Sequence, residues 1–280
     1  MIAANADASS PTLLSLHLEP SILERPHVAF GREITGDLGA ALRREWLVTN
    51  GLGGYASATV AGVSTRSYHG LLVAALEPPV ARTVLVANSV DWVVYDGARY
   101  PLSTSEFGDG MLSPEGYRYL ESFRLEGSLP VWTFAIADAL VERRVWMPDG
   151  VNATFVTYHL LRGSGPIDLD VTPLVTYRSF HGLASGQGWN FGVDAQERGA
   201  TIRAYEGAAP FWLRSDKAEF RPDGSWWWGF HHRGEAERGL ADRGDLFAPG
   251  VFLARLDPGE TAALIYSTDP EIDLDASSSL

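Results

Sequence analysis

The 29 glycines and 16 prolines of this chain are spread through its length, and they leave few places where a long helix could form. Between them, from about residue 45 onward, lie short runs rich in Val, Thr, Ile, Tyr, Phe and Trp, side chains that suit a pleated, half-buried surface. Ile167, Leu169 and Val171 alternate with Asp168, Asp170 and Thr172, which is the period-two pattern of one dry and one wet face. Val141, Arg143, Val145 and Met147 alternate less cleanly with Glu142, Arg144 and Trp146. Thr154 to Leu161 carries large groups on both faces, as expected of a central strand covered on both sides.

Turn chemistry separates these runs at Asp96-Gly97, Asp149-Gly150, Gly163-Ser164-Gly165-Pro166, Pro222-Asp223-Gly224 and Asp257-Pro258-Gly259. Asp-Gly between apolar runs is a hairpin signal because glycine supplies the positive φ of a tight turn. Many short strands joined by turns form antiparallel sheets, either packed face to face or closed into a barrel. The expected fold is all-β, a large antiparallel β-sandwich with a few short helices. Helix is expected only at about 37 to 44, where Asp37 could cap, and at about 235 to 246. Residues 1–33 lack a clear period and read as an arm whose first ten residues could be deleted at little cost. The sandwich is expected over residues 34–270.

Charge narrows the function classes. The 22 basic and 35 acidic side chains give a net charge of −13, and no basic cluster exceeds Arg143-Arg144, which argues against a nucleic-acid partner. The absence of cysteine removes disulfides and thiolate metal sites and fits a reducing compartment. The N-terminal stretch has neither a basic n-region nor a continuous apolar h-region. No stretch approaches the roughly 18 apolar residues of a membrane span. A cytoplasmic protein with no membrane partner is the expectation.

Gly51-Leu52-Gly53-Gly54-Tyr55-Ala56 formally satisfies G-x-G-x-x-G/A, but Ser57 to Ser67 carries no helical stripe, so a glycine-rich β-turn is expected in place of a dinucleotide site. Arg66-Ser67-Tyr68-His69-Gly70 places a guanidinium, a phenol and an imidazole within five residues. On a strand Arg66 and Tyr68 would share one face and Ser67 and His69 the other. The group could line a polar pocket, or Tyr68 and His69 could be core residues whose polar tips satisfy buried backbone groups. Trp226-Trp227-Trp228, Phe230 and His231-His232 concentrate aromatic rings in the last third. Such rings stack on sugars or fill a core, and strand period would bury Trp226, Trp228 and Phe230, leaving Trp227 exposed. The adjacent histidines point apart on a strand, so no metal site is expected, and no cofactor. His181 beside Ser179 makes no triad. Glu106, Asp109, Glu115 and Glu121 read as solvated surface acids, and no catalytic residue is assigned.

Longer strings carry a resemblance. EWLVTNGLGGYASATVAG from Glu45, STRSYHGLLVAAL from Ser64, GYRYLESFRLEG from Gly116, PLVTYRSFH from Pro173 and ERGLADRGDLFAPG from Glu237 resemble, in order, the N-terminal domain of bacterial and archaeal glycogen debranching enzymes, the amylo-α-1,6-glucosidase family. The resemblance implies a super-sandwich similar to the glucoamylase N-terminal domain, packed against a separate C-terminal α/α-barrel. That barrel carries the catalytic carboxylates and hydrolyses α-1,6 branches in glycogen catabolism. The domain would border the α-glucan cleft (glycogen, limit dextrin or maltooligosaccharide) and stabilise the barrel. Nothing after Phe247 offers an amphipathic helix, so residues 271–280 read as a tail towards an absent barrel, and the chain alone is expected not to hydrolyse. Asn50, Arg66, Tyr68 and His69 are the substrate-binding candidates within the matched strings, with Trp227 and Trp228 added for stacking. An exposed apolar patch is expected where the barrel docks, and with it a tendency to self-association. A purely structural or interaction domain touching no sugar and a self-sufficient glycosidase are the competing expectations.

Overall fold

The computed structural model describes residues 28–276. Most of the expected arm, including its first ten residues, and residues 277–280 lie outside the described residues. Two large antiparallel sheets dominate. The first has nine strands in the order β1 (Ala29–Phe30), β9 (Leu120–Glu126), β10 (Leu129–Ile136), β11 (Ala139–Trp146), β12 (Ala153–Arg162), β19 (Thr261–Ser267), β16 (Phe211–Ser215), β15 (Gly199–Arg203) and β14 (Gly192–Gln196). The second runs β17 (Glu219–His231), β18 (Arg243–Leu256), β13 (Ile167–Ser179), β5 (Val80–Tyr95), β4 (Gly70–Glu77), β3 (Tyr55–Thr59) and β2 (Glu45–Thr49), with β6 (Ala98–Pro101) paired to β5. A small hairpin joins β7 (Thr104–Glu106) to β8 (Leu112–Glu115). The expected all-β sandwich is the architecture found.

Local chemistry accounts for the connections. Asp96 and Gly97 both take positive φ, 48° and 74°, in the two-residue turn from β5 to β6. Asp149-Gly150, Gly163 to Pro166 and Asp257-Pro258-Gly259 join successive strands as their composition predicts. Helix α1 is Arg32–Thr35, and α2 is Leu38–Leu42, where the Asp37 carboxylate accepts from Ala40 N at 2.9 Å as an N-cap.

Two expectations need correcting. The expected helix at 235 to 246 is only the single turn α3 (Arg233–Ala236), because β18 already begins at Arg243 and draws the chain into the sheet. Pro222-Asp223-Gly224 is no turn between strands. It is a register shift inside β17, tolerated because β17 is an edge strand that need not donate at a proline.

Facing side chains of the two sheets form one core. Trp46 of β2 meets Trp132 of β10 edge-on at 5.2 Å, and the Trp132 indole donates to Val60 O at 3.0 Å. Arg143, counted above in a basic pair, is buried between the sheets over the Trp132 ring, while Arg144 faces outward to Glu126 and Glu142. The outer face of the second sheet has its own apolar layer, with Val73, Val84, Leu174 and Leu246 beneath Tyr55, Phe107, Phe180 and Trp227. Among the described residues no helix is long and apolar enough to cross a membrane.

Candidate functional site

The glycine-rich string is a turn between β2 and β3, with Gly51 at φ 73° and Gly53 at φ 96°, and it opens no helix. Beyond it, Arg66 to His69 forms a turn leading into β4, closed by His69 N donating to Arg66 O at 3.1 Å. The alternation expected of a strand survives in this turn. Ser67 and His69 are buried, Arg66 is exposed and Tyr68 is half-buried.

The buried members serve the fold. His69 Nδ1 accepts from Thr65 N at 3.1 Å, which leaves Nε2 as the donor facing Glu45 at 3.5 Å. Arg66 Nε reaches the same Glu45 oxygen at 2.6 Å. His69 first, then Arg66, stabilise the Glu45 carboxylate and hold its pKa down at about 2, against an opposing effect of burial. Ser67 donates through N and Oγ to the buried Glu235 of α3, at 2.9 and 3.0 Å. Asn50 is fully buried. Its amide donates to Val151 O and Asn152 Oδ1, both at 2.9 Å, and its oxygen accepts from Leu52 N. Asn152 in turn pairs with both backbone groups of Ala75, so the two asparagines fasten the β11–β12 connection to β4.

Tyr68 faces an open groove that it shares with Leu47, Tyr55 and Arg82. Its hydroxyl lies 3.1 Å from His181 Nδ1, and its ring meets Phe180 edge-on at 5.3 Å. Phe180 and His181 leave the end of β13, and Arg82 of β5 lays its guanidinium over the Phe180 ring at 5.6 Å. Four bonds hold this constellation in place. Tyr55 OH donates to Tyr68 O at 2.7 Å, Arg82 Nε donates to Gly53 O at 2.7 Å, and buried Arg178 donates to Ser67 O at 2.9 Å and Gly182 O at 2.7 Å. Burial drags the Arg178 pKa down to about 10, still charged at neutral pH, and pushes the Tyr55 phenol up to about 12. Tyr177 and Tyr205, in edge contact at 5.4 Å, line the continuation of the groove beside Arg82. Rings for the C–H faces of a sugar thus sit beside phenol, imidazole and guanidinium groups suited to hydroxyls.

The tryptophans lie elsewhere, and the expected exposure is reversed. A bulge between Trp227 and Phe230, with Gly229 at φ 73°, shifts the strand's parity. Trp227 therefore stacks on Phe230 at 6.5 Å in the outer apolar layer, and Trp228 is the exposed ring. The two adjacent histidines have different surroundings. His231 bridges Glu106 at 2.8 Å and Asp242 at 3.2 Å, while His232 is buried. Glu106, expected at the surface, is buried and also held by Arg233 at 2.7 Å. Sequence reasoning passed over Arg82, Tyr205 and the role of His181. The string PLVTYRSFH was the available signal for Phe180 and His181.

Two stacked antiparallel sheets define a β-sandwich domain. The family described as glycogen debranching enzyme N terminal matches residues 44–263. The chain belongs to that family. Comparison with curated proteins found no match. Among solved structures, a bacterial glucoamylase complexed with acarbose is 10% identical with a TM-score of 0.37, covering 85% of this chain and 33% of that one. A polysaccharide lyase is 12% identical at TM-score 0.36, covering 80% and 32%. A human-microbiome protein described as a kojibiose phosphorylase is 11% identical at TM-score 0.34, covering 83% and 31%. The chain spans about a third of the length of each of these three proteins.

Proposed function

We propose that this chain is a non-catalytic N-terminal domain that borders the α-glucan cleft of a glycogen debranching enzyme and stabilises its catalytic α/α-barrel, in a cytoplasmic setting. The observation that carries the reading is the Tyr68–His181 pair at 3.1 Å, flanked by Phe180 and Arg82 along an open groove. Tyr68, His181 and Arg82 are the sugar-facing groups in this reading. Arg66 and His69 position the turn that presents Tyr68, while Asn50 ties the β2–β3 turn to the β11–β12 connection. Trp227 belongs to the packing layer beneath.

Calorimetric titration with maltohexaose and with a branched limit dextrin tests it. Saturable binding that Tyr68→Ala and His181→Ala each weaken supports the reading. Binding unchanged in both variants rejects it. The competing reading, a scaffold that touches no sugar, draws on the burial of Asn50 and His69. It predicts no glucan affinity but a stabilising effect on separately expressed barrel.

A further inference from the structure

Trp228 is a large ring left 53% exposed at a place the fold holds rigid. We propose that Trp228, backed by Trp226, is a second glucan-stacking platform, taking the apolar face of one pyranose ring of a neutral α-glucan chain. The proposal rests on the reading that this domain meets α-glucan and adds a second contact. In the second sheet β17 lies four strand spacings from β4, the strand that follows Tyr68, or roughly 19 Å. The two contacts therefore engage different residues of one chain or different branches.

Four features build the platform. Trp228 keeps the side of Trp226 two residues before it, and the bulge at Gly229 follows directly after it. The Asp245 carboxylate on β18 accepts from Gly229 N at 2.9 Å and from Gly186 N at 3.0 Å, so one side chain holds both the bulge and the loop beside it. Trp226 stacks with Trp228 at 5.8 Å and 30°, and its own indole N–H is anchored to Trp189 O at 2.8 Å and Asn190 Oδ1 at 3.2 Å. Gly186 lies against the Trp226 ring where any Cβ would collide. A ring held this way loses little freedom when a ligand stacks on it, and that favours binding.

The rim supplies the polar half of sugar recognition. Asn190 is exposed, and with its oxygen engaged by Trp226 its amide NH2 has no partner among the described residues. Exposed Gln187 lies on the same loop, and Ser225 donates to Asp223 at 3.0 Å on the same strand. A net charge of −13 opposes anionic ligands and leaves a neutral polyol unaffected.

The test titrates the 280-residue chain with maltohexaose, reading both heat and indole fluorescence. The expected result is that Trp228→Ala abolishes the sugar-induced fluorescence change and weakens binding at least fivefold, that Trp228→Tyr restores most of it, and that Tyr68→Ala lowers affinity without removing the indole signal. Fluorescence response and affinity unchanged in Trp228→Ala overturn the platform while leaving the Tyr68 groove standing. A Trp228→Ala variant that changes sedimentation but not sugar binding also overturns it and assigns the ring to a protein contact. No sugar response from the intact chain by either readout overturns both readings.

Discussion

The Tyr68 hydroxyl and His181 Nδ1 lie 3.1 Å apart although 113 positions separate the two residues in the chain. The contact ties the turn before β4 to the segment leaving β13, and it fixes the ring that faces the groove. Tyr68→Phe keeps the edge contact with Phe180 and removes only the hydroxyl. It should weaken maltohexaose binding several-fold, in line with about 1 kcal/mol for one hydrogen bond. Tyr68→Ala should weaken it further, as calorimetry would show.

Glu235 holds the same turn from below. Its buried carboxylate accepts two bonds from Ser67, and Glu235→Ala leaves the Ser67 N–H buried without an acceptor. A loss of about 2 to 3 kcal/mol is expected in urea unfolding. Glu235→Gln, which keeps an acceptor oxygen, should lose less.

Acid should destabilise the fold through His232. Burial, then the charge of Arg178, lowers the imidazole pKa from its ordinary 6.5 to about 4. Between those values the unfolded chain binds a proton that the folded chain refuses, so stability falls as pH is lowered through that window. The contribution is fully present above about 6.5, is lost by about 4, and reaches at most about 3 kcal/mol. Melting temperatures from pH 7 to pH 5 should decline, and His232→Gln should flatten that slope.

Glu45 adds a second acid-sensitive element at lower pH. Its carboxyl is held down from 4.5 to about 2, so its stabilisation is present above 4.5 and disappears as pH falls toward 2. Arg66→Ala and His69→Ala should each raise the Glu45 pKa, read by carboxylate NMR titration.

Gly54 marks a close approach of β3 to the Asn50–Asn152 pair. An added Cβ would lie 2.6 Å from Asn152 Oδ1 and 2.7 Å from Asn50 Nδ2, both buried groups already committed to hydrogen bonds. Gly54→Ala should therefore destabilise by about 1 to 3 kcal/mol. The denaturation midpoint measures it.

Individual residues show where local reading works and where it stops. Ile167, Leu169 and Val171 are buried as their alternation indicates, and Asp37 caps the helix it precedes, because both effects act within a few residues. In the tryptophan run Trp228 is the exposed ring, where strand period predicts Trp227. A one-residue bulge reverses parity, and the residue that holds it, Asp245, belongs to the neighbouring strand.

Composition, turn chemistry and period-two patterning by themselves determined an all-β chain of short antiparallel strands, and ordered strings identified its family, since these signals are carried by residues close together. The tertiary structure alone decided which candidates meet a groove. Tyr68, Arg82 and His181 converge from three separate segments, and Asn50, His69 and Glu106 are withdrawn into the fold by partners as distant as Val151, Glu45 and Arg233. Burial and hydrogen bonding depend on which distant groups arrive beside a side chain, and only sheet pairing settles that.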